Sequence, residues 1–174
     1  MLPPHTGDPR RREQLSPFPC TTSELCQRFA TSPERLAILD GFLRFRELLA
    51  QAGFVNGFQW VDGSFLENVE LLENRPPNDL DMVTFYIPTD AAFNQRVVAG
   101  YPVLRDQNQI KATYRTDHYF LDMACHPVLT VEWTRYWTGL FSHRRDGIWK
   151  GMLRVDLNTP ADDTNARALL QGMP

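Results

Sequence analysis

The chain has 174 residues, with 18 Lys and Arg against 21 Asp and Glu, for a formal net charge of −3. That balance supplies no global field for nucleic acid or an anionic membrane, so any polyanion has to be met by a local basic patch. A hydrophobic fraction of 43% and a charged fraction of 22% exclude a fibrous or wholly disordered chain, and the length suits one domain with a real core. No apolar run is long enough to span a bilayer, so no membrane partner is expected. Cys20, Cys26 and Cys125 are odd in number and lack metal-ligand spacing, which predicts free thiols in a reducing, cytoplasmic compartment.

Residues 1–20 hold Pro3, Pro4, Pro9, Pro17 and Pro19 among polar and basic residues. This composition predicts an extended arm, with a single domain over residues 21–174. Arg10, Arg11 and Arg12 suit a twin-arginine signal, but the apolar segment that should follow is missing. Thr22 or Ser23 is expected to cap a short helix through Phe29. Ser32-Pro33-Glu34 supplies a cap, a proline at the first helical position and an acid in the first turn. Leu36, Leu39, Leu43 and Ile38, Phe42, Phe45, Leu49 then recur at helical spacing until Gly53.

Phe58 to Val61 reads as a strand ending at Asp62-Gly63-Ser64, and Glu67 to Asn78 as an acidic loop. Leu80 to Ile87, rich in β-branched and aromatic residues, is the clearest strand. A helix from Thr89 to Gly100, a strand over Tyr119–Met123 and a helix over Val131–Leu140 follow. A basic loop from Ser142 to Gly147, a strand over Met152–Leu157 and a helix over Asp162–Gln171 complete an α+β domain around a modest sheet. Trp133, Tyr136, Trp137 and Phe141 fall at helical spacing and are expected in the core.

Asp79 and Asp81 are two apart on a strand, so both side chains leave one face, about 6.5–7 Å apart. Like charges placed so disfavour folding unless something neutralises them, and a hard divalent cation does this through carboxylate oxygens. Upstream, Gly63 allows close backbone approach to a phosphate, and the Ser64 hydroxyl can help cradle it. The order strand, Gly-Ser, loop, strand opening on Asp-x-Asp sets a phosphate cradle beside a metal pair, the arrangement phosphoryl chemistry needs.

Phe58 through Phe85, FQWVDGSFLENVELLENRPPNDLDMVTF, resembles the core signature of the nucleotidyltransferase (DNA polymerase β-like) superfamily. The stretches WVDGSF, PPNDLDMV, TDHYFLDM and WKGMLRVDL also resemble a family of small bacterial and phage-borne proteins with this core. The resemblance implies a nucleotidyltransferase-like core, a small mixed sheet flanked by helices. It implies Mg²⁺ or Mn²⁺ held by Asp79 and Asp81, an NTP at Gly63 and Ser64, and a third carboxylate from a later strand. Asp122, embedded in an apolar strand where a lone acid is costly, is preferred for that third position, with Asp117 as its competitor. The implied reaction moves an NMP from an NTP to a hydroxyl of an RNA 3′ end or a protein, in a toxin–antitoxin or phage-defence setting with a cognate partner protein. The alternatives are an inactive module of the same fold that binds nucleotide or a partner protein, and a metal-dependent phosphate-binding or hydrolytic protein that uses water as acceptor. Lys111, Arg115, Arg144, Arg145 and Lys150 are the cations expected near the site, Lys111 among them as a phosphate ligand, while Asp62 is placed to orient the Gly-Ser turn. His118, His126 and His143 lack ligand spacing and are expected to be structural or surface residues.

Overall fold

A computed structural model describes residues 1–173. The sheet is mixed, with five strands in the order β1-β5-β2-β3-β4. The strands are β1 (Phe18–Pro19), β2 (Gly57–Asp62), β3 (Leu80–Tyr86), β4 (Thr116–Asp122) and β5 (Leu153–Asp156). β2 runs antiparallel to both β3 and β5, and β3 pairs in parallel with β4. The helices are α1 (Thr22–Phe29), α2 (Pro33–Gln51), α3 (Val69–Glu73), α4 (Phe93–Gly100), α5 (Gln107–Tyr114), α6 (Pro127–Phe141) and α7 (Pro160–Gln171). None is long and apolar enough to cross a membrane.

The proline-rich arm is not extended throughout: it doubles back, with His5 bridged to Leu15 and a 3-10 turn at Arg12–Gln14, and it lies against the domain. Phe18–Pro19 adds to the edge of β5, Ser16 exchanges hydrogen bonds with the backbone of Met152, and the Gly151 N–H donates to the Leu2 carbonyl. α1 is capped one residue earlier than expected. Thr21 is the cap and forms a reciprocal capping box with Glu24. Ser32 caps α2 as expected, but the buried face of that helix also carries Arg35 and Arg46, which an apolar periodicity does not announce.

Three differences from the expected elements matter. Residues 69–73 form a short helix in place of the expected loop, capped by Asn68 and ended by Asn74 in the left-handed conformation. α5 has no counterpart among the expected elements; Asp106 caps it and Ile110 is its single buried side chain, too little to register as a periodic pattern. Third, β4 begins at Thr116, earlier than the expected Tyr119, because Leu80 pairs with Thr116 and the parallel ladder runs from there.

Two cores result, one on each face of the sheet. Phe42, Phe45 and Leu49 of α2 join Val61, Met82 and Val155 on one side. On the other, Trp137 and Phe141 of α6 cover Trp60, Val83, Phe85 and Leu121. Trp133 and Tyr136, expected in the core, stand about half exposed at 50% and 48%, because only one stripe of α6 faces the sheet.

The cysteines are free, with Cys26 buried and Cys125 exposed. Burial, then the nearby acids, pushes both Cys20 and Cys26 up to about 12. A thiol so shifted holds roughly 10³-fold less thiolate near neutral pH than an ordinary one. Titrating the folded protein with a disulfide reagent should therefore give one fast thiol per chain, from Cys125, and the other two only on unfolding. Two or more fast thiols would contradict this burial.

Candidate functional site

The site lies on the α6 side of the sheet, where β2 ends and β3 and β4 begin. Side-chain alternation puts Asp62, Asp81 and Asp117 on that face, and the register aligns them, Asp62 opposite Asp81 and Asp81 opposite Asp117. Adjacent strands are about 4.8 Å apart, so three carboxylates stand abreast. Asp79, two residues before Asp81, shares the face. The chain then turns sharply at Gly63, whose φ of 87° is open mainly to glycine. A Cβ on Gly63 would collide with Asp81 Oδ2, so the turn packs directly on that carboxylate. Ser64–Leu66 follows as a single 3-10 turn.

A cleft of about 810 Å³ opens here, a volume suited to a small-molecule ligand. Its lining includes Asp62, Gly63, Ser64, Asp79, Asp81, Lys111 and Asp117, and the end of α6 supplies Gly139, Leu140 and Phe141. Arg75, Arg144, Arg145 and Lys150 bring positive charge to the same space.

The structure thus brings together Gly63, Ser64, Asp79, Asp81 and Lys111, and it sets Asp117 beside them in place of the expected Asp122. Asp122 lies five residues along β4 from Asp117, roughly 16 Å away, and alternation turns it to the opposite face. There it accepts hydrogen bonds from the Asn94 amide and the Ala124 N–H, closing the turn after β4. The earlier start of the strand is the reason, because it moves Asp117 into register with Asp81. Of the expected cations, Arg115 ends α5 and does not line the cleft, whereas Arg75, not singled out from the sequence, does. His143 lines the cleft, His126 caps α6, and His118 is buried in the other face of the sheet.

Two buried cations hold the Gly-Ser turn. Lys150, its side chain 4% exposed, donates to Asp62 Oδ1 at 2.9 Å and the Gly63 carbonyl at 3.4 Å, and pairs with Glu67 at 3.2 Å. Arg35 reaches from α2 to the carbonyls of Phe65 and Glu67, both at 2.6 Å, and to Glu70. Burial pushes the Asp62 carboxyl above the ordinary aspartate range, and Lys150 draws it part of the way back.

Lys111 sits between Asp79 and Asp117, 3.1 Å from Asp117 Oδ2, and the two acids hold its ammonium protonated above the usual lysine range. Asp81 has no such partner. Among the described residues no hydrogen bond or ion pair reaches its side chain, and burial, followed by the charges of Asp79 and Asp117, pushes it up to about 6. A largely buried carboxylate without a protein donor is stabilised by any cation that approaches it. The all-oxygen donor set of Asp79, Asp81 and Asp117 fits Mg²⁺ or Mn²⁺. No three His, Cys, Asp or Glu side chains among the described residues converge into a ready-made metal cage. Lys111 occupies the space between Asp79 and Asp117, on a half-exposed side chain.

No curated protein and no solved structure matches the chain. A family model described as a family of unknown function, DUF6932, matches residues 1–156, a span that contains every residue of the cleft. The chain belongs to the DUF6932 family.

Proposed function

We propose that the cleft is a metal-dependent nucleotidyl-transfer site that moves an NMP from an NTP to a hydroxyl of an RNA end or a protein. The observation that carries this reading is the row Asp62, Asp81 and Asp117 on adjacent strands, with the Gly63-Ser64 turn packed on its central member. In this reading Asp79, Asp81 and Asp117 would hold divalent cations, which would supply neutralisation of the charge that develops in phosphoryl transfer. The Ser64 hydroxyl and the turn's backbone bind the triphosphate, with Lys111, Arg75, Arg144 and Arg145 in reach of its outer phosphates. The acceptor oxygen forms a bond to the α-phosphorus as the bond to the β-phosphate oxygen breaks, and pyrophosphate leaves. Asp117, at the exposed side of the row, takes the acceptor's proton.

The test is incubation of the protein with each α-labelled NTP, Mg²⁺ or Mn²⁺, and total RNA or cell lysate. Label should enter a macromolecule with one NTP preferred, and Asp79→Asn with Asp81→Asn should abolish it. Labelling that survives this double substitution would remove the site assignment. One observation favours a second reading, a non-catalytic module: Lys111 already neutralises Asp79 and Asp117 without a metal. In that case an NTP binds with no metal requirement and nothing is labelled.

A further inference from the structure

Lys111 and Lys150 are the only lysines in a chain that otherwise uses arginine, and both line the cleft. They are held differently. Lys150 is buried, with Asp62, Glu67 and the Gly63 carbonyl around its ammonium, and is part of the fold. Lys111 stands on α5, where Ile110 is the single buried side chain, and its own side chain is 50% exposed. Its ammonium touches Asp79 and lies 3.1 Å from Asp117, acids that are themselves only 14% and 28% exposed. The two neighbours of Asp81 are therefore turned to a lysine, and Asp81 is left without a donor among the described residues. With Asp79 and Asp117 engaged in this way, no three carboxylates among the described residues converge. Yet the strand register sets Asp81 beside Asp117, and alternation puts Asp79 on the same face.

We infer that Lys111 is an exchangeable counter-ion of this row, which holds Asp79 and Asp117 in the metal-free protein, yields them to a divalent cation and passes to the triphosphate. The inference rests on the metal and NTP reading of the cleft. An ammonium and a divalent cation compete for the same carboxylate oxygens, and the unpaired Asp81 favours the divalent cation in that competition. Lysine suits exchange better than arginine does. Its ammonium is a compact, strongly hydrated point charge, whereas a guanidinium would grip Asp79 through a two-pronged pair of fixed geometry. Half-exposed on a helix that does not bury it, Lys111 returns to water without opening the core. Phosphate oxygens then supply the anionic partner it has lost. Metal and triphosphate thus each raise the other's affinity, a reciprocal coupling carried by one side chain.

Mg²⁺ affinity, read from the rise of Tm with concentration at matched ionic strength, should be roughly tenfold higher for Lys111→Met than for wild type. Lys111→Arg should bind Mg²⁺ no more tightly than wild type, and circular dichroism should show both variants folded. Displacement is read on the wild type itself. Lys111 is the exposed one of the two lysines, so acetylation by an N-hydroxysuccinimide ester, followed by mass spectrometry of its peptide, reports on it alone. Buried Lys150 serves as the internal reference. Lys111 should react slowly without metal, several-fold faster with Mg²⁺, and slowly again with Mg²⁺ and inorganic tripolyphosphate together. Equal Mg²⁺ affinity in wild type and Lys111→Met, with acetylation unchanged by the metal, would overturn the inference and leave the metal reading standing. If Mg²⁺ moves the melting of neither protein, the metal reading itself falls and the inference with it. Acetylation that stays fast with tripolyphosphate bound would overturn the passage of Lys111 to phosphate.

Discussion

Replacing Asp81 with Asn should make the metal-free protein more stable while removing both its response to Mg²⁺ and any nucleotidyl transfer. Asp81 is a charge in the middle of a row of acids, packed under Gly63 and without a donor among the described residues. Asn keeps the shape and removes the charge, so the folded state loses its repulsion with Asp79 and Asp117 and part of its desolvation cost. Relief on the order of 1–3 kcal/mol corresponds to a rise of roughly 3–10 °C in Tm for a domain of this size. The wild type, by contrast, should gain about 1.4 kcal/mol from Mg²⁺ at ten times its Kd, since binding only the folded state stabilises by mass action. The variant should gain nothing beyond the effect of a matched ionic strength of KCl. Thermal melts of both proteins with and without the metal, beside the labelling assay, check all of this. A variant less stable than the wild type without metal would mean that Asp81 is a structural acid with a partner in solution. A wild type whose melting ignores Mg²⁺ would take the metal, and with it the transfer reaction, out of the proposal. Gain of stability with loss of activity is the pattern expected where a site is built against the interests of the fold.

The sequence exposed those parts of the site that depend on local order. The strand–Gly63-Ser64–strand order and the two-residue spacing of Asp79 and Asp81 are covalent facts, and the fold preserves them. Which acid of β4 stands beside Asp81 depends on the strand pairing, and register is a tertiary property. Asp117 and Asp122 both lie on β4, and only the Leu80–Thr116 pairing selects the first. The same limit applies to the end walls of the cleft. Arg75 comes from an irregular segment after α3, where no periodicity marks it. The core expectation for α6 fails for a different reason: its apolar residues cover more than one face, and spacing alone does not say which face meets the sheet.

Buried arginines were equally hidden, and Arg46 carries the second large expected effect. Its side chain is 2% exposed and pairs with Asp163 at 3.0 Å. It also donates to Gln59 Oε1 at 2.6 Å, the Asp156 carbonyl at 3.0 Å and Thr159 Oγ1 at 2.7 Å, tying α2 to β2, β5 and α7. From Gln59 the chain of bonds continues to Thr84 at 3.0 Å and on to His118 at 2.8 Å, so one guanidinium anchors a polar row across the sheet. Arg46→Met fills the space but leaves Asp163, Gln59 and a carbonyl without their donor, and breaking one side of such a buried pair costs about 3–5 kcal/mol. For a domain of this size the expected fall in Tm is roughly 8–15 °C. Arg154→Met is the control: its pair with Asp156 is 42% and 64% exposed, and its loss should cost no more than about 1 kcal/mol. Denaturant melts of the three proteins should therefore separate widely for Arg46 and little for Arg154; equal shifts would mean that the Arg46 network adds nothing beyond a surface pair. Gln59 and Thr84 face away from Asp62 and Asp81 by strand alternation, so Arg46→Met protein held well below its melting point should keep the wild-type response to Mg²⁺. A loss of that response at temperatures where the variant is fully folded would show that the two faces of the sheet are coupled, with the cleft depending on the polar row beneath it.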